Sequence, residues 1–414
     1  MTETIVTIDH VGGLGDGVAE GPSGRVHVPF TAPGDEARIM LAGKDAGTLI
    51  ELLQSSPLRA EPPCTHFGKC GGCALQHLQS DFIADWKRSR VVGALARSNL
   101  GDVVVSPTIV IPPGTRRRAT LAVARIGKRL LLGFAERASH RLVDLKECHI
   151  LTEDLVRLIA PLRDRLGILV LANETADFVL TATETGVDFV VVRKRPLGLA
   201  DREALADFAE TADLARVSWR ASPTAPAEPV AARRSPQIRI GDDLVAFAPG
   251  AFLQPSREGE ARLARIIRDA ISGLEGTVAD LFCGLGTFAL PSSRTNAVYA
   301  FDSDSTAVSA LRNVARGRQL VAQTRDLFRE PLTVTELAAF SGVIIDPPRA
   351  GAQAQARTLA DSGVATVVYV SCNPTSFARD AAILVEGGYR LEQAIPIDQF
   401  AWSPHVELVG VMRR

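Results

Sequence analysis

Aromatic side chains are scarce in this chain. Phe, Trp and Tyr supply 5% of its 414 residues, too few for a surface that holds a polymer mainly by stacking bases on rings. Long hydrophobic runs are missing as well. No uninterrupted apolar stretch approaches the ~20 residues that span a bilayer. The opening MTETIVTIDH has no basic segment followed by an apolar one, the pattern of an export signal. Both absences argue against a membrane partner and point to the cytoplasm. Net charge is nearly absent, at −1, and there is no internal repeat of the kind that builds solenoids.

What is present is a chain able to form several cores. Hydrophobic residues make up 46% and charged residues 22%, which over this length predicts two or three domains. The low net charge conceals an asymmetry: residues 61–150 carry fourteen Lys and Arg against seven Asp and Glu, whereas residues 1–60 carry four against eight. A basic block suits a polyanion, because each phosphate neutralised by Lys or Arg releases counterions; an ordinary solvated face explains it about as well. Within it, Arg116, Arg117 and Arg118 follow Pro112-Pro113-Gly114 and are candidates for phosphate contact. Four of the six cysteines, Cys64, Cys70, Cys73 and Cys148, lie in the same block. In a cytosolic chain such a grouping argues for a metal or cluster over disulfides. Either zinc or a four-iron cluster takes four thiolates, and spacing alone puts zinc slightly ahead.

Patterning divides the chain in three. Residues 1–55 show short alternating runs (Thr4–Ile8, Arg25–Phe30, Ala37–Leu41) between glycine turns, the signature of a small β-barrel. Residues 56–236 combine a helix over Leu78–Leu100, which we expect to pack on the last domain, with strand-like runs LAVARI, LLLGFA, FVLTATE and DFVVVRK and a helix near Glu153–Leu166. They end in a Pro- and Ala-rich linker at 221–236. Residues 237–414 alternate apolar strands with helices, including one from the turn after TVADLFCG to about Arg294. Such alternation specifies a doubly wound, Rossmann-like α/β domain with a parallel sheet covered on both faces.

The turn Asp280–Phe288 (DLFCGLGTF) follows a buried strand and opens a helix, as a nucleotide fingerprint requires. Gly284, Gly286 and Thr287 therefore become cofactor candidates, although a glycine turn alone is more often simple chain reversal. Asp302, Asp326 and Asp346 follow at or near successive strand ends, where acidic side chains can meet the hydroxyls of a ribose. This combination fits an adenosyl ligand. A dinucleotide is disfavoured because the third glycine of its fingerprint is missing. Cys372 comes straight after the apolar run VVYV, in SCNP, at the same predicted edge. A helix starting at Asn373-Pro374 should lower its thiol pKa; alone, a single cysteine is more often a small buried hydrophobe. Cys283, inside the glycine turn, reads as a packing residue.

The series DLFCGxGxF, DPPR (346–349), YVSCNP (369–374) and HVE (405–407) resembles the uridine-5 RNA methyltransferases in order and spacing, and C-x5-C-x2-C (64–73) with Cys148 matches their iron–sulfur subgroup. Residues 1–52 look like that subgroup's RNA-binding TRAM barrel, of the OB-like kind. The resemblance covers nearly the whole chain. It implies S-adenosylmethionine as methyl donor and a [4Fe–4S] cluster on Cys64, Cys70, Cys73 and Cys148. Gln254, Phe282, Asp302 and Asp326 would lie at the cofactor or base, with Asp346 at its methyl end, Cys372 as covalent nucleophile and Glu407 as general base. Carbon 5 of uracil is too weak a nucleophile until a thiolate adds at carbon 6, which accounts for the cysteine. The expected partner is RNA, 23S ribosomal RNA by likeness to the cluster-bearing subgroup, since the family's transfer-RNA enzyme typically lacks cluster and barrel; a monomer is expected. His66 and Phe67 on the cysteine loop are candidates for stacking a base. The chain departs from the family pattern at Thr287, Ser256 and Gln399-Phe400-Ala401, and its barrel is acidic. No cysteine occurs in DPPR, which argues against a cytosine-5 enzyme, and Arg349 is not the aromatic expected of a base-amino methyltransferase.

Overall fold

The computed structural model describes residues 2–127 and 129–414. Near the N-terminus, strands Glu3–Thr7, His10–Val11, Gly17–Gly21, Gly24–Val28, Glu36–Ala42 and Ala46–Gln54 form one six-stranded sheet. Alternation sets its inner face: Val6, Ile8, Val26, Val28, Ala37 and Ile39 pack together, and the residues between them face outward.

A second sheet of seven strands runs in the order Leu142–Asp144, Arg129–Ala135, Arg118–Ile126, Thr175–Thr183, Gly186–Val192, Arg216–Arg220, Glu228–Ala232. All its pairs are antiparallel except Gly186–Val192 with Arg216–Arg220, which are joined by the helix Leu199–Thr211. The stretch expected to be a linker thus contains the strand Glu228–Ala232. Its composition hid it because the strand is an edge: Pro229 lacks a ladder N–H, and only an edge tolerates that loss.

The third sheet has eight strands, ordered Leu320–Thr324, Ala297–Asp302, Thr277–Leu281, Gly342–Ile345, Thr366–Ser371, Glu407–Arg413, Arg390–Asp398, Ile109–Val110. The first five are mutually parallel. Glu407–Arg413 runs against both neighbours. That reversal has a geometric consequence: its first residue, Glu407, sits at the edge where Ile345, Ser371 and Asp398 end. The helix after the glycine turn is only Ala289–Ser292, not a helix to Arg294; Pro291 and the serines after it favour local turns over a longer helix. The helix Arg257–Ile271 is capped by Ser256, whose Oγ accepts from the Gly259 N–H at 2.9 Å, and buries Leu263, Ile267 and Ile271 on the sheet. Among the described residues no helix is long and apolar enough to cross a membrane.

Residues 80–118 are built into this third sheet. The helix Ser80–Arg97 lies against the helix Pro374–Glu386 and the strand Arg390–Asp398, and its Val91, Ala94 and Leu95 share a core with Leu281, Ile345 and Tyr369. Two buried ion pairs reinforce the junction. Lys87, with no exposed side-chain surface, pairs with Asp398, and Arg117 pairs with Glu260 at 2.5 Å. Removing one member of such a pair strands the other charge in an apolar setting, at a cost of about 3–5 kcal/mol. Lys87→Met is therefore expected to lower the urea unfolding free energy by about that amount; a loss below about 1 kcal/mol would show that Asp398 finds another partner.

Candidate active site

The glycine turn sits where the first parallel strand ends. Phe282 (φ 64°), Gly284 (φ 52°) and Gly286 (φ 89°) all take left-handed backbone, a conformation that favours glycine. A Cβ on Gly286 would meet Leu311 at 2.5 Å, whereas one on Gly284 would enter open space. Bare backbone with room above it suits close approach of a ligand. Asp302, ending the next strand, accepts from the Gly284 N–H at 2.9 Å and from the Asp304 N–H at 2.8 Å, so it braces the turn. Asp326 accepts from the N–H groups of Phe328 and Arg329, and the Phe328 ring lies 5.3 Å from that of Phe282. Thr287 is half-buried in the turn. These residues form one continuous wall. Beneath it Asp280 is fully buried, and burial with Asp346 and Asp302 nearby pushes its pKa well up, against the pull of the Ala289 backbone N–H. Cys283 is buried, as a packing residue should be.

Cys372 follows the strand Thr366–Ser371. Asn373 caps the next helix, its Oδ1 accepting from the Thr375 N–H at 3.1 Å, and its Nδ2 donates to the Arg349 carbonyl at 3.1 Å, which ties SCNP to DPPR. Burial, then the carboxyls of Glu407 and Asp346, push the Cys372 thiol up to about 11, with Arg349 opposing them. A lowered pKa from the helix terminus was expected. Two nearby acids and partial burial outweigh it, and the resting group is a thiol.

Glu407 is 4% exposed. Burial first, then the charge of Asp346, raise its carboxyl to about 8 against the pull of the Gln399 hydrogen bond; burial likewise lifts Asp346 to about 7. A chain of side-chain amides joins the two acids. Gln399 Nε2 donates to Glu407 Oε2 at 3.1 Å and to Gln254 Oε1 at 3.0 Å, and Gln254 Nε2 donates to Asp346 Oδ2 at 3.3 Å. Gln254, an expected site residue, is thus held against Asp346. Gln399 was legible only as a departure from the family pattern. Its signal was its place immediately after a strand ending at the catalytic edge.

The arginine run divides in its roles. Arg117 is 2% exposed, bound to Glu260 and to the Gln254 carbonyl, so it cannot touch a phosphate; Arg118 donates to the Gly250 carbonyl. Arg116 alone of the three is exposed. It lines a cleft of about 600 Å³ together with Cys73, Arg137, Gln399 and His405. Phe67 packs on Phe30 and His77, and His66 Nε2 accepts from the Lys146 N–H. Both residues brace the cysteine loop and are half-buried.

Cys64, Cys70, Cys73 and Cys148 line one small cavity. Glu147 accepts from Thr65, holding the 64–73 loop to the Cys148 segment. Among the described residues no three Cys, His, Asp or Glu side chains gather tightly enough to hold a single ion. Four thiols around a common cavity match the donor set that either zinc or a four-iron cluster takes.

The sheet order and the acidic, glycine-lined edge define an S-adenosylmethionine-dependent methyltransferase fold. Comparisons with known proteins narrow the class. The family model described as tRNA (Uracil-5-)-methyltransferase matches residues 238–414. An uncharacterized RNA methyltransferase of Brucella melitensis is 41% identical over 413 residues, covering 99% of this chain and 97% of the relative. The 23S rRNA (uracil(1939)-C(5))-methyltransferase RlmD of Chromohalobacter salexigens is 36% identical over 434 residues, covering 99% and 89%. The crystal structure of Pyrococcus abyssi tRNA (uracil-54, C5)-methyltransferase in complex with S-adenosyl-L-homocysteine aligns with a TM-score of 0.75 and 25% identity, over 99% of this chain and 100% of that one. The chain belongs to the RNA (uracil-5-)-methyltransferase family.

One stability effect follows from the buried acids. A carboxyl whose folded pKa lies above its unfolded value contributes fully below the unfolded pKa and loses that contribution as pH rises through the folded one. For Glu407 the window runs from the ordinary carboxylate range up to about 8. Glu407→Gln should therefore melt several degrees above the parent at about pH 8.5 and match it at about pH 4; equal melting temperatures at both would show that the carboxylate is not destabilising.

Proposed function

We propose that this enzyme methylates carbon 5 of a uridine in 23S ribosomal RNA, with Cys372 as covalent nucleophile and Glu407 as the base that completes the reaction. The observation that carries the reading is the convergence of Cys372, Glu407, Asp346 and Gln254 at one sheet edge, beside the glycine turn and Asp302. Bound there, S-adenosylmethionine supplies an electrophilic methyl group.

The chain's own groups do the rest. Cys372 releases its proton to solvent in the cleft and the thiolate adds to carbon 6 of the uracil, so that the ring's electron pair moves to carbon 5 as an enolate. Carbon 5 takes the methyl group. Glu407 then removes the carbon-5 proton, the carbon 5–carbon 6 double bond re-forms, and the Cys372 sulfur leaves with its electron pair. A carboxylate with a raised pKa is a stronger base than an ordinary one, which suits this step. The target base has to leave its stack to reach Cys372, and Arg116 in the cleft offers positive charge on the way.

The 36% identity to a 23S rRNA enzyme over nearly the whole chain supports the ribosomal substrate. Chain architecture does not decide it: a transfer-RNA enzyme matches this fold from end to end, contrary to the expectation that such enzymes lack the N-terminal regions. Cys64, Cys70, Cys73 and Cys148 would hold a [4Fe–4S] cluster that ties the 64–73 loop to the strand end at Cys148.

Two measurements test these assignments. Ribosomal RNA from a strain lacking the gene should lose one 5-methyluridine by mass spectrometry, restored by the parent gene and not by Cys372→Ala; loss from transfer RNA instead would overturn the substrate. Protein purified without oxygen should be brown with stoichiometric iron and sulfide, and colourless protein carrying zinc would refute the cluster.

A further inference from the structure

Gln399 has a role that the reaction outlined above does not by itself require. Its amide spends both Nε2 hydrogens within the site, one on Glu407 Oε2 and one on Gln254 Oε1. The polarity of this chain is fixed by its ends. Once Glu407 and Asp346 are ionised both accept, so each amide then turns its NH2 toward a carboxylate; reversing either would set carbonyl against carboxylate oxygen. Among the described residues Gln399 is the one side chain that bonds the Glu407 carboxyl, and it takes Oε2, which leaves Oε1 for a proton.

The residue is gripped from both sides. Asp398 before it is paired with buried Lys87, and Lys87 Nζ also donates to the carbonyl of Phe400 after it, at 3.0 Å. The Phe400 N–H returns to Asp398 Oδ1 at 3.1 Å. A one-residue step between two anchored neighbours has little freedom. Gln399 also lines the 600 Å³ cleft, so its amide stands between the entering base and the buried acids.

We propose that Gln399 is a positioning residue for the proton-removal step: its clamped amide holds Oε2 of Glu407 and presents Oε1 to carbon 5, and so release of the methylated RNA from Cys372 depends on it. This rests on the reading of Glu407 as the base. A hydrogen bond to a carboxylate favours its ionised form, so the amide also lowers the pH at which the base becomes available.

The test uses the full-length enzyme with its RNA. Gln399→Met keeps length and bulk and removes both donors. It should slow release about tenfold at neutral pH, with methyl transfer in a single turnover nearly unchanged, so that a methylated Cys372–RNA adduct accumulates on a denaturing gel. The inflection of release rate against pH should move up by about one unit, because a hydrogen bond to a charged group is worth about tenfold in such an equilibrium. Gln399→Asn, which keeps the amide on a shorter arm, should restore part of the rate. A Gln399→Met enzyme with the parental pH profile and no adduct overturns the proposal. Failure of the underlying reading looks different: Glu407→Gln would then release methylated RNA at the parental rate.

Discussion

Lys87 has no exposed side-chain surface, and its one counter-charge, Asp398, belongs to the strand beside Glu407–Arg413. An unpaired ammonium or carboxylate at this depth costs more than the fold can spare, so the helix Ser80–Arg97 has to seat where Lys87 reaches Asp398. Arg117 imposes the same condition 30 residues later, through Glu260 and the Gln254 carbonyl. Together the two pairs dock residues 80–118 on the catalytic sheet and fix the backbone at both glutamines. A site assembled on a loop edge is thereby held as rigidly as a core.

Sheet topology explains why so many functional residues meet. In a parallel sheet the strand ends share one edge, which gathers Asp302, Asp346 and Cys372. The reversed strand Glu407–Arg413 contributes its beginning to that edge, and the strand before it contributes Asp398 and Gln399. Asp346 and Glu407, from distant parts of the chain, are brought into a space where the charge of Asp346 disfavours ionisation of Glu407. Lys87, Arg117 and the amide chain keep that arrangement from relaxing outward.

Much of this was legible in the sequence because it follows from period and punctuation. Continuous apolar runs alternating with helices announced the doubly wound sheet, and an Asp or Cys directly after such a run had to lie at its edge. The antiparallel ending was not legible, since Glu407 reads equally well as a half-buried strand residue. Nor was the strand Glu228–Ala232, whose proline is tolerated only because nothing pairs beyond it. The arginine run shows a further limit. Composition placed three cations together, but alternation along a strand turns Arg117 inward, and only the position of Glu260 reveals that a charge waits there. Gln399 carried no chemical signal of its own; its importance comes from geometry between strands that are neighbours in space.

The same geometry bears on the resting state of Cys372, the proposed nucleophile. With Glu407 and Asp346 beside it, Cys372 rests as a thiol pushed up to about 11, and a thiol is far less open to oxidation than a thiolate. Negative charge nearby therefore protects the resting enzyme. It also means that the three groups titrate as a set: a positive charge placed beside Asp346 lowers the pKa of Glu407 and of Cys372 together, by the same Coulombic attraction whose absence raises them. Ionisation of Cys372 and of Glu407 is thus linked to the charge around Asp346. The glutamine chain is the hydrogen-bonded scaffold on which that link is strung, because it spans the gap between the two acids on which the coupling depends.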